Sequence, residues 1–191
     1  KDQFGLEGKK VLLTFGLLSP NKGIEQVIEA LPSVVARHPD VVYVIVGATH
    51  PHVQRKDGES YRLSLQRLAR RRGIDGHVIF HGRFVSLEEL KQFLGAADIY
   101  ITPYLNPAQI VSGTLAYAVG CGKAVVSTPY WHAEELLADG RGVIVPFNDS
   151  KALASQLIDL LDNDVMRHSM RKKAYLFARS MIWPNVARAY V

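Results

Sequence analysis

The segment from Pro107 to Lys123, PAQIVSGTLAYAVGCGK, combines a turn with the start of an apolar helix. Ser112, Gly113 and Thr114 place small side chains and free backbone N–H groups at the helix start, where the helix dipole favours an anion. A glycine there lets an anion approach the backbone closely. The segment therefore predicts a site for a phosphate or a similar anion.

Two polar side chains accompany this helix start. Gln109 comes just before the helix and Tyr117 lies within it, although a helix that only packs against a core needs neither. An amide and a phenol at these places would suit the hydroxyl-rich sugar and ribose on either side of a diphosphate. The alternative is that Ser112 is an ordinary N-cap and that Tyr117 is a core aromatic residue with its hydroxyl at the rim.

A second candidate anion site follows the first predicted strand. The loop FGLLSPNKG has Gly16 at the strand end, and Lys22 with Gly23 opens the next helix. The loop matches neither the GxGxxG pattern of dinucleotide sites nor the GxxxxGK[ST] pattern of P-loops, which argues against NAD binding and ATP hydrolysis. A lysine beside a helix N-terminus attracts phosphate. Alternatively, Lys22 is only a surface turn residue.

Histidines offer weaker candidates. His50 and His52 have the spacing of a metal-binding pair, but no cysteine or carboxylate lies close to them in the sequence. Pro51 indicates a loop after the second strand, so a polar loop near the cleft is the preferred interpretation. His81 ends a predicted strand and is expected to line a pocket rather than to act as a base. No metal site is predicted.

Length and composition indicate one globular domain covering residues 1–191, with 48% apolar and 21% charged residues. The single cysteine, Cys121, excludes an internal disulfide and is typical of a reducing compartment. It is expected to fill a small space in the core. No stretch approaches the roughly 20 apolar residues of a membrane span, and the first residues lack the apolar part of a signal peptide. A cytoplasmic location is therefore predicted.

The net charge of +5 indicates anionic partners, and its densest source is the arginine-rich run YRLSLQRLARRRG. Leucines in this run form the apolar face of a helix, so the arginines are expected to be a solvated face. No aromatic residues are interleaved with them in a nucleic-acid-reading pattern, and no nucleic-acid partner is predicted.

Apolar runs and amphipathic stretches alternate along the chain. The runs predict strands covered on both faces, and they are KVLLTF (10–15), VVYVIVG (41–47), HVIFHG (77–82), DIYITP (98–103), KAVVST (123–128) and GVIVP (142–146). Helices are predicted over 23–39, 59–73, 86–97, 112–122 and 133–140, followed by a helical tail from Asp149. Ser86 is predicted as an N-cap, with Gly73 and Gly140 as helix stops. The predicted fold is α/β, an open, doubly wound, Rossmann-like parallel sheet of about six strands with helices on both faces.

Several of these loops together resemble a known family. The series FGLLSPNKG, VVYVIVG, HVIFHGRF, LGAADIYITPY, AVGCGKAVVST and EELLADGRGVIVP resembles the nucleotide-sugar-binding C-terminal domain of retaining glycosyltransferases of the GT-B fold. The similarity is to the group 1 family, which includes glycogen-synthase-like and mannosyltransferase-like enzymes. It covers nearly the whole chain, including a closing stretch, SMIWPNVARAYV, that is similar to the family segment returning to the partner domain.

The resemblance implies a role for particular residues. Lys22 matches the lysine that holds the donor diphosphate, and Gly113 and Thr114 match the loop whose backbone amides receive the phosphates. The residues after the third strand, Arg83, Phe84 and Val85, fall where the family shapes the pocket for the nucleotide base. Glu135 matches the glutamate after the fifth strand, with a less defined role.

The sequence also departs from the family pattern. Leu17 replaces an arginine that usually follows Gly16, and Gln109 with Tyr117 replace the two glutamates of an E-x7-E pattern. Trp131 and His132 stand where two glycines are common, which is expected to reshape the sugar side of the pocket. These departures imply either an altered donor or weakened donor binding.

The resemblance implies retaining transfer of a hexose from a UDP- or GDP-linked sugar, with no metal or other cofactor. The start at Lys1 without a methionine suggests a piece of a longer protein whose N-terminal domain binds the acceptor, with peripheral membrane association of the whole enzyme possible in principle. The isolated domain would then bind donor and catalyse little. Two alternatives are a non-catalytic nucleotide-binding or scaffolding domain and a sugar-nucleotide epimerase of the same architecture.

Overall fold

A computed structural model describes residues 1–190 of the chain. Its sheet has six parallel strands: β1 (Lys10–Phe15), β2 (Val41–Val46), β3 (Val78–His81), β4 (Ile99–Thr102), β5 (Ala124–Ser127) and β6 (Val143–Ile144). The strand order is β3-β2-β1-β4-β5-β6. The predicted doubly wound parallel sheet is therefore confirmed, with the order reversing between β1 and β4.

Helices cover both faces of this sheet. Within residues 1–190 the α-helices are α1 (Ile24–Arg37), α2 (Pro51–Asp57), α3 (Ser60–Arg71), α4 (Leu87–Ala96), α5 (Gly113–Gly120), α6 (Trp131–Leu136), α7 (Ser150–Asp162), α8 (Asp164–Ala178) and α9 (Trp183–Arg188). Short 3-10 turns lie at Asp2–Phe4, Pro20–Lys22, Asp75–His77 and Arg179–Met181. The helical tail predicted from Asp149 is present as α7, α8 and α9.

Strand side chains alternate between the two helical layers. On one face Leu12, Tyr43 and Ile45 pack in a core with α1, α3 and α7. On the other face Leu13 and Val44 pack in a core with α4, α5, α6 and α8. Because successive side chains of a strand point to opposite faces, continuous apolar runs such as KVLLTF supply both cores at once.

The pairing between β1 and β4 is short. Only Leu12 with Ile99 and Leu13 with Tyr100 are in register, whereas β1 and β2 pair along six residues. Beyond the second pair the Thr14 hydroxyl donates to the Ile101 carbonyl across 2.8 Å. The two strands therefore separate toward their carboxyl ends, where the crevice of an open α/β sheet lies.

Three local expectations are wrong. Residues after β2 form helix α2 rather than a loop, because Pro51 occupies a first-turn position where its missing N–H costs nothing. Cys121 is exposed rather than buried, since α5 ends at Gly120 and leaves it outside the helix. Gly140 stops no helix because α6 already ends at Leu136.

Two predicted helix ends are confirmed. The Ser86 hydroxyl accepts a hydrogen bond from the Glu89 N–H at 3.2 Å and caps α4. Gly73 follows α3 with a φ of 68°, the left-handed conformation that glycine adopts readily just past a helix.

Candidate functional site

A cleft of about 410 Å³ lies at the carboxyl ends of β1 and β2, between the start of α4 and one side of α5. Its volume is in the range of small-molecule sites. Gly16 and Gly47 form its floor, and Phe84 and Val85 from the loop after β3 form an apolar wall. Thr114 and Tyr117 of α5 face them across the cleft. Five residues predicted from the sequence thus line it, namely Gly16, Phe84, Val85, Thr114 and Tyr117.

The floor of the cleft requires glycine at two positions. A Cβ on Gly47, whose φ is 140°, would lie 2.1 Å from the Gly16 carbonyl oxygen. A Cβ on Gly16, with a φ of 120°, would lie 3.1 Å from Thr114 Cγ2 and 3.3 Å from Lys22 Nζ. The two glycines therefore let two loops cross closely and leave room where Lys22 and Thr114 converge.

Lys22 is held by an aromatic residue from the neighbouring loop. Its Nζ donates a hydrogen bond to the Tyr104 hydroxyl and lies 4.2 Å from the centroid of the Tyr104 ring. The same hydroxyl shares a 2.8 Å hydrogen bond with Thr114 Oγ1, which lies 3.2 Å from Ser112 Oγ. Tyr104 thereby ties the loop after β1 to the start of α5.

Tyr104 titrates differently from the other buried tyrosines. Burial by itself would raise the pKa of its phenol, but the positive charge of Lys22 and hydrogen bonds from Lys22, Ser112 and Thr114 outweigh burial. The pKa of Tyr104 therefore lies below its ordinary value. Burial raises the pKa of the neighbouring Tyr130 to about 12. The Lys22 ammonium is the positive charge that distinguishes the surroundings of Tyr104 from those of Tyr130.

The start of α5 keeps two backbone donors available. Ser112 is the N-cap, since its Oγ accepts the Leu115 N–H at 3.3 Å, and its own N–H is donated to His132 Nδ1 at 3.0 Å. The N–H groups of Gly113 and Thr114 have no protein acceptor within residues 1–190. Because the first N–H groups of a helix have no partner in the helix, these two can receive an anion.

His132 completes this helix start from α6. Burial lowers its pKa below the ordinary value, partly opposed by the charge of Glu135. A neutral imidazole has one acceptor nitrogen. In His132 this nitrogen is Nδ1, which accepts the Ser112 N–H. The Trp131 N–H donates to the Pro107 carbonyl at 3.1 Å, so both residues fasten α6 to the loop before α5.

Comparison with known proteins identifies the family at this point. The sequence model of the family described as glycosyl transferases group 1 matches residues 1–177. The chain belongs to the group 1 glycosyl transferases. The sequence predicts one half of the GT-B fold. Solved structures of similar proteins share this parallel sheet with helices on both faces.

Similar proteins come from several bacteria. A phosphatidyl-myo-inositol mannosyltransferase of Mycolicibacterium smegmatis is 32% identical over 99% of this chain and 46% of its own length. The structure of HepE from Anabaena in complex with UDP and glucose superposes with a TM-score of 0.82 and 25% identity, over 94% of this chain and 46% of HepE. The chain spans about half the length of these relatives.

A second similar structure is itself a single domain. It is the C-terminal domain of the group 1 glycosyl transferase LpcC from Francisella tularensis, with a TM-score of 0.74 and 20% identity. The alignment covers 90% of this chain and 85% of that domain. At this identity the likeness concerns the fold, which the two domains share along almost their whole lengths.

Three residues predicted for the site of this group 1 glycosyl transferase make other contacts or lie exposed. The Arg83 guanidinium forms a two-point ion pair with Glu89 and is 59% exposed. The Gln109 amide nitrogen donates to the Val111 carbonyl within its own loop at 2.6 Å. Glu135 is exposed on α6. The structure therefore places these three outside the lining of the cleft.

The sequence does not single out Tyr104, which follows β4 as an ordinary strand-end aromatic residue. Its position at the end of β4, the strand next to β1 in this sheet, is the feature that could have indicated Tyr104. His132 is expected from the sequence to reshape the sugar side of the pocket, but its hydrogen bond to the Ser112 N–H joins residues 20 positions apart and is not predicted. Within residues 1–190, no three His, Cys, Asp or Glu side chains group as metal ligands would. None of the helices described there has the length and apolarity to cross a bilayer.

Proposed function

We propose that this chain is the donor-binding half of a glycosyltransferase that transfers a hexose, with retention, from a UDP- or GDP-linked sugar to an acceptor. One observation carries the proposal. The Lys22 ammonium and the Thr114 side chain converge at Gly16, at one end of an otherwise apolar cleft, and the free N–H groups of Gly113 and Thr114 lie at the start of the same helix α5. A diphosphate fits the polar end and a nucleotide base fits the apolar wall.

The chemistry follows from this arrangement. When the anomeric C–O bond breaks, the electron pair stays on the diphosphate oxygen and the sugar becomes oxocarbenium-like. Fixed donors that stabilise the departing charge lower the barrier, because they need not reorganise as the charge develops. Lys22 and the amides of Gly113 and Thr114 supply such donors. In the proposed mechanism they serve in place of a metal ion.

The relatives support a hexose and a nucleotide. The relative from M. smegmatis is named as a mannosyltransferase, and HepE was solved with UDP and glucose. With either hexose, this half of the enzyme would stabilise a departing nucleoside diphosphate in the same way. The identity of the base is left to the experiment below.

We further propose that residues 1–191 form one domain and that an N-terminal half supplies the acceptor site. The relatives are about twice as long as this chain. Large apolar side chains are exposed at its carboxyl end, with Trp183 83% and Leu176 60% exposed. Such a surface is typical of an interface with another domain. A cytoplasmic location, with peripheral membrane association of the whole enzyme, suits the exposed unpaired thiol of Cys121, since such thiols persist in reducing compartments.

A non-catalytic nucleotide-binding domain is the second candidate. Leu17 offers no positive charge at the cleft, and the guanidinium of Arg83 is engaged by Glu89. A site with fewer cations stabilises a departing diphosphate less. Turnover of donor by the full-length protein, compared with donor binding by this chain, separates the two candidates.

The first test is calorimetric titration of the chain with UDP, GDP, ADP and their sugar conjugates, with and without Mg²⁺. We expect saturable binding that prefers one base and does not depend on Mg²⁺. Lys22→Ala should weaken this binding roughly 10- to 100-fold, because a hydrogen bond to a charged group is worth about 1.5–3 kcal/mol. Lys151→Ala is the matched control, since it removes the same charge from an exposed position on α7.

The outcomes are distinct. Binding that Lys22→Ala leaves unchanged would place the diphosphate elsewhere and contradict the proposal. Absence of binding at millimolar concentration by a folded chain would argue against both candidates unless the missing half completes the site, and titration of the full-length protein decides between these outcomes.

A further inference from the structure

The cleft places a defined segment of the donor beside Tyr117. Thr114 and Tyr117 are three residues apart in α5, so they lie on one side of the helix about one turn, or roughly 5 Å, apart. Phosphate at the start of α5 lies by Thr114, and the apolar wall of Phe84 and Val85 takes the base. The pentose joins phosphate to base and therefore lies beside Tyr117.

Few groups in the cleft can hydrogen-bond to that pentose. Of the side chains lining it, Ser86, Thr114 and Tyr117 carry polar atoms, and none carries a carboxylate or an amide. The Ser86 hydroxyl caps α4, and the Thr114 hydroxyl is bonded to Tyr104. Tyr117 is 49% exposed, and its hydroxyl has no protein partner within residues 1–190. The free groups are therefore the Tyr117 hydroxyl and the O–H of Ser86, which only accepts in the cap of α4; both side chains are exposed enough for water to satisfy them.

A single phenol cannot engage both hydroxyls of a ribose diol as a carboxylate can. Enzymes reject a substrate lacking a hydroxyl strongly only when the site has a buried polar group that would be left unpaired. Tyr117 is half exposed, so water can satisfy its hydroxyl when the substrate does not. Loss of the 2′-hydroxyl leaves no buried group of this cleft without a partner.

On the basis of the donor site proposed above, we propose that this cleft does not read the 2′-hydroxyl and accepts 2′-deoxynucleoside diphosphates, thymidine diphosphate included, as well as ribonucleoside diphosphates. The wall of Phe84 and Val85 also gives the 5-methyl group of thymine an apolar contact. The donor class thus extends to sugars linked to deoxynucleoside diphosphates, and Tyr117 is the residue that determines this tolerance.

The test compares UDP, dUDP and dTDP by calorimetric titration of the chain. UDP and dUDP differ by one hydroxyl, and we expect their dissociation constants to agree within about threefold. Tyr117→Glu restores a carboxylate beside the pentose and should make UDP bind roughly tenfold or more tightly than dUDP. Tyr175→Glu is the matched control, because Tyr175 is 47% exposed and packs at Gly122, the opposite end of α5.

Each outcome decides a separate point. If UDP binds and the dissociation constant of dUDP is tenfold or more higher, the site recognises the 2′-hydroxyl. The inference is then overturned while the donor site stands. If Tyr117→Glu binds UDP and dUDP alike, the pentose does not lie beside Tyr117 and the inference is again overturned. If the titration of the proposed function shows a preference for GDP, the same comparison is made with GDP and dGDP. If neither the folded chain nor the full-length protein binds any nucleoside diphosphate, the donor site itself fails.

Discussion

Replacing Tyr104 with phenylalanine tests the network that joins Lys22 to the start of α5. The substitution removes one hydroxyl and keeps the ring, so the ring of residue 104 still lies beneath the Lys22 ammonium and still stacks on Tyr130 with centroids 5.1 Å apart. It deletes the hydrogen bonds to Lys22 and to Thr114 and the longer one, at 3.5 Å, from Ser112 Oγ, which keeps Thr114 Oγ1 as a partner. The loss in stability therefore reports on the hydroxyl alone.

The size of the loss in stability depends on whether each former partner of the hydroxyl keeps another partner or contact with water. Thr114 Oγ1 keeps a partner in Ser112 Oγ at 3.2 Å, and Lys22 is only partly buried, so neither is left buried and unpaired. The relevant values are then net ones, about 0.5–1.5 kcal/mol for a neutral hydrogen bond and about 1.5–3 kcal/mol for one to a charged group. Tyr104 is 3% exposed, and burying a ring without a hydroxyl offsets part of the loss. We expect a net loss of about 2 kcal/mol in the free energy of unfolding.

Urea denaturation followed by circular dichroism measures this loss. The midpoint should fall while the m-value stays constant, because the surface exposed on unfolding is unchanged. In a thermal scan, about 2 kcal/mol corresponds to a fall in Tm of roughly 4–8 °C for a chain of this size. Tyr190→Phe is the control, since that side chain is 89% exposed. Stability equal to the wild type within about 0.5 kcal/mol would refute the reasoning.

Two further predictions concern the same region. Gly47→Ala should lower the free energy of unfolding by roughly 2–5 kcal/mol, because its Cβ would meet the Gly16 carbonyl and its φ of 140° strains a side chain. In the same urea titration the control Gly76→Ala, with no atom within 4 Å of its Cβ, should change the free energy of unfolding by less than about 0.5 kcal/mol. Equal losses in the two variants would contradict the close crossing of the loops. The pKa of Tyr104 is lowered on folding. Its ionisation therefore stabilises the fold as pH rises from the folded pKa toward the unfolded value, and this stabilisation is lost as pH falls again. Absorbance at 295 nm, a wavelength that reports phenolate, should therefore begin to rise at lower pH in the wild type than in Tyr104→Phe. Identical titrations would contradict the lowered pKa.

The fold was predictable because its signals are local. Each buried strand is a continuous apolar run bounded by turn residues, and parallel strands covered on both faces produce that pattern. Helix α2 is not evident from the sequence, because a proline such as Pro51 is compatible with a loop and fits the first turn of a helix equally well. Burial of Cys121 was wrongly expected because periodicity alone does not fix the last residue of a helix.

The candidate site was predictable only in part. Gly16 and Thr114 were found because strand ends and helix starts are visible in the sequence, and the sheet brings them to one edge. The bond between Lys22 and Tyr104 joins residues 82 positions apart, and it forms because β1 and β4 are neighbours. Side-chain pairs such as Arg83 with Glu89, six positions apart, depend on rotamers that residue types do not specify.

The short pairing of β1 with β4 has a mechanical consequence. Leu12, Leu13 and their two partners join strands β3-β2-β1 to strands β4-β5-β6, and beyond them the halves of the sheet diverge. Lys22 stands on the first half and Thr114 on the second, so a ligand that contacts both is a crosslink across the seam. Its binding energy resists opening of the sheet at a pairing of only two residue pairs, and amide hydrogens beside the seam become slower to exchange when the ligand is bound.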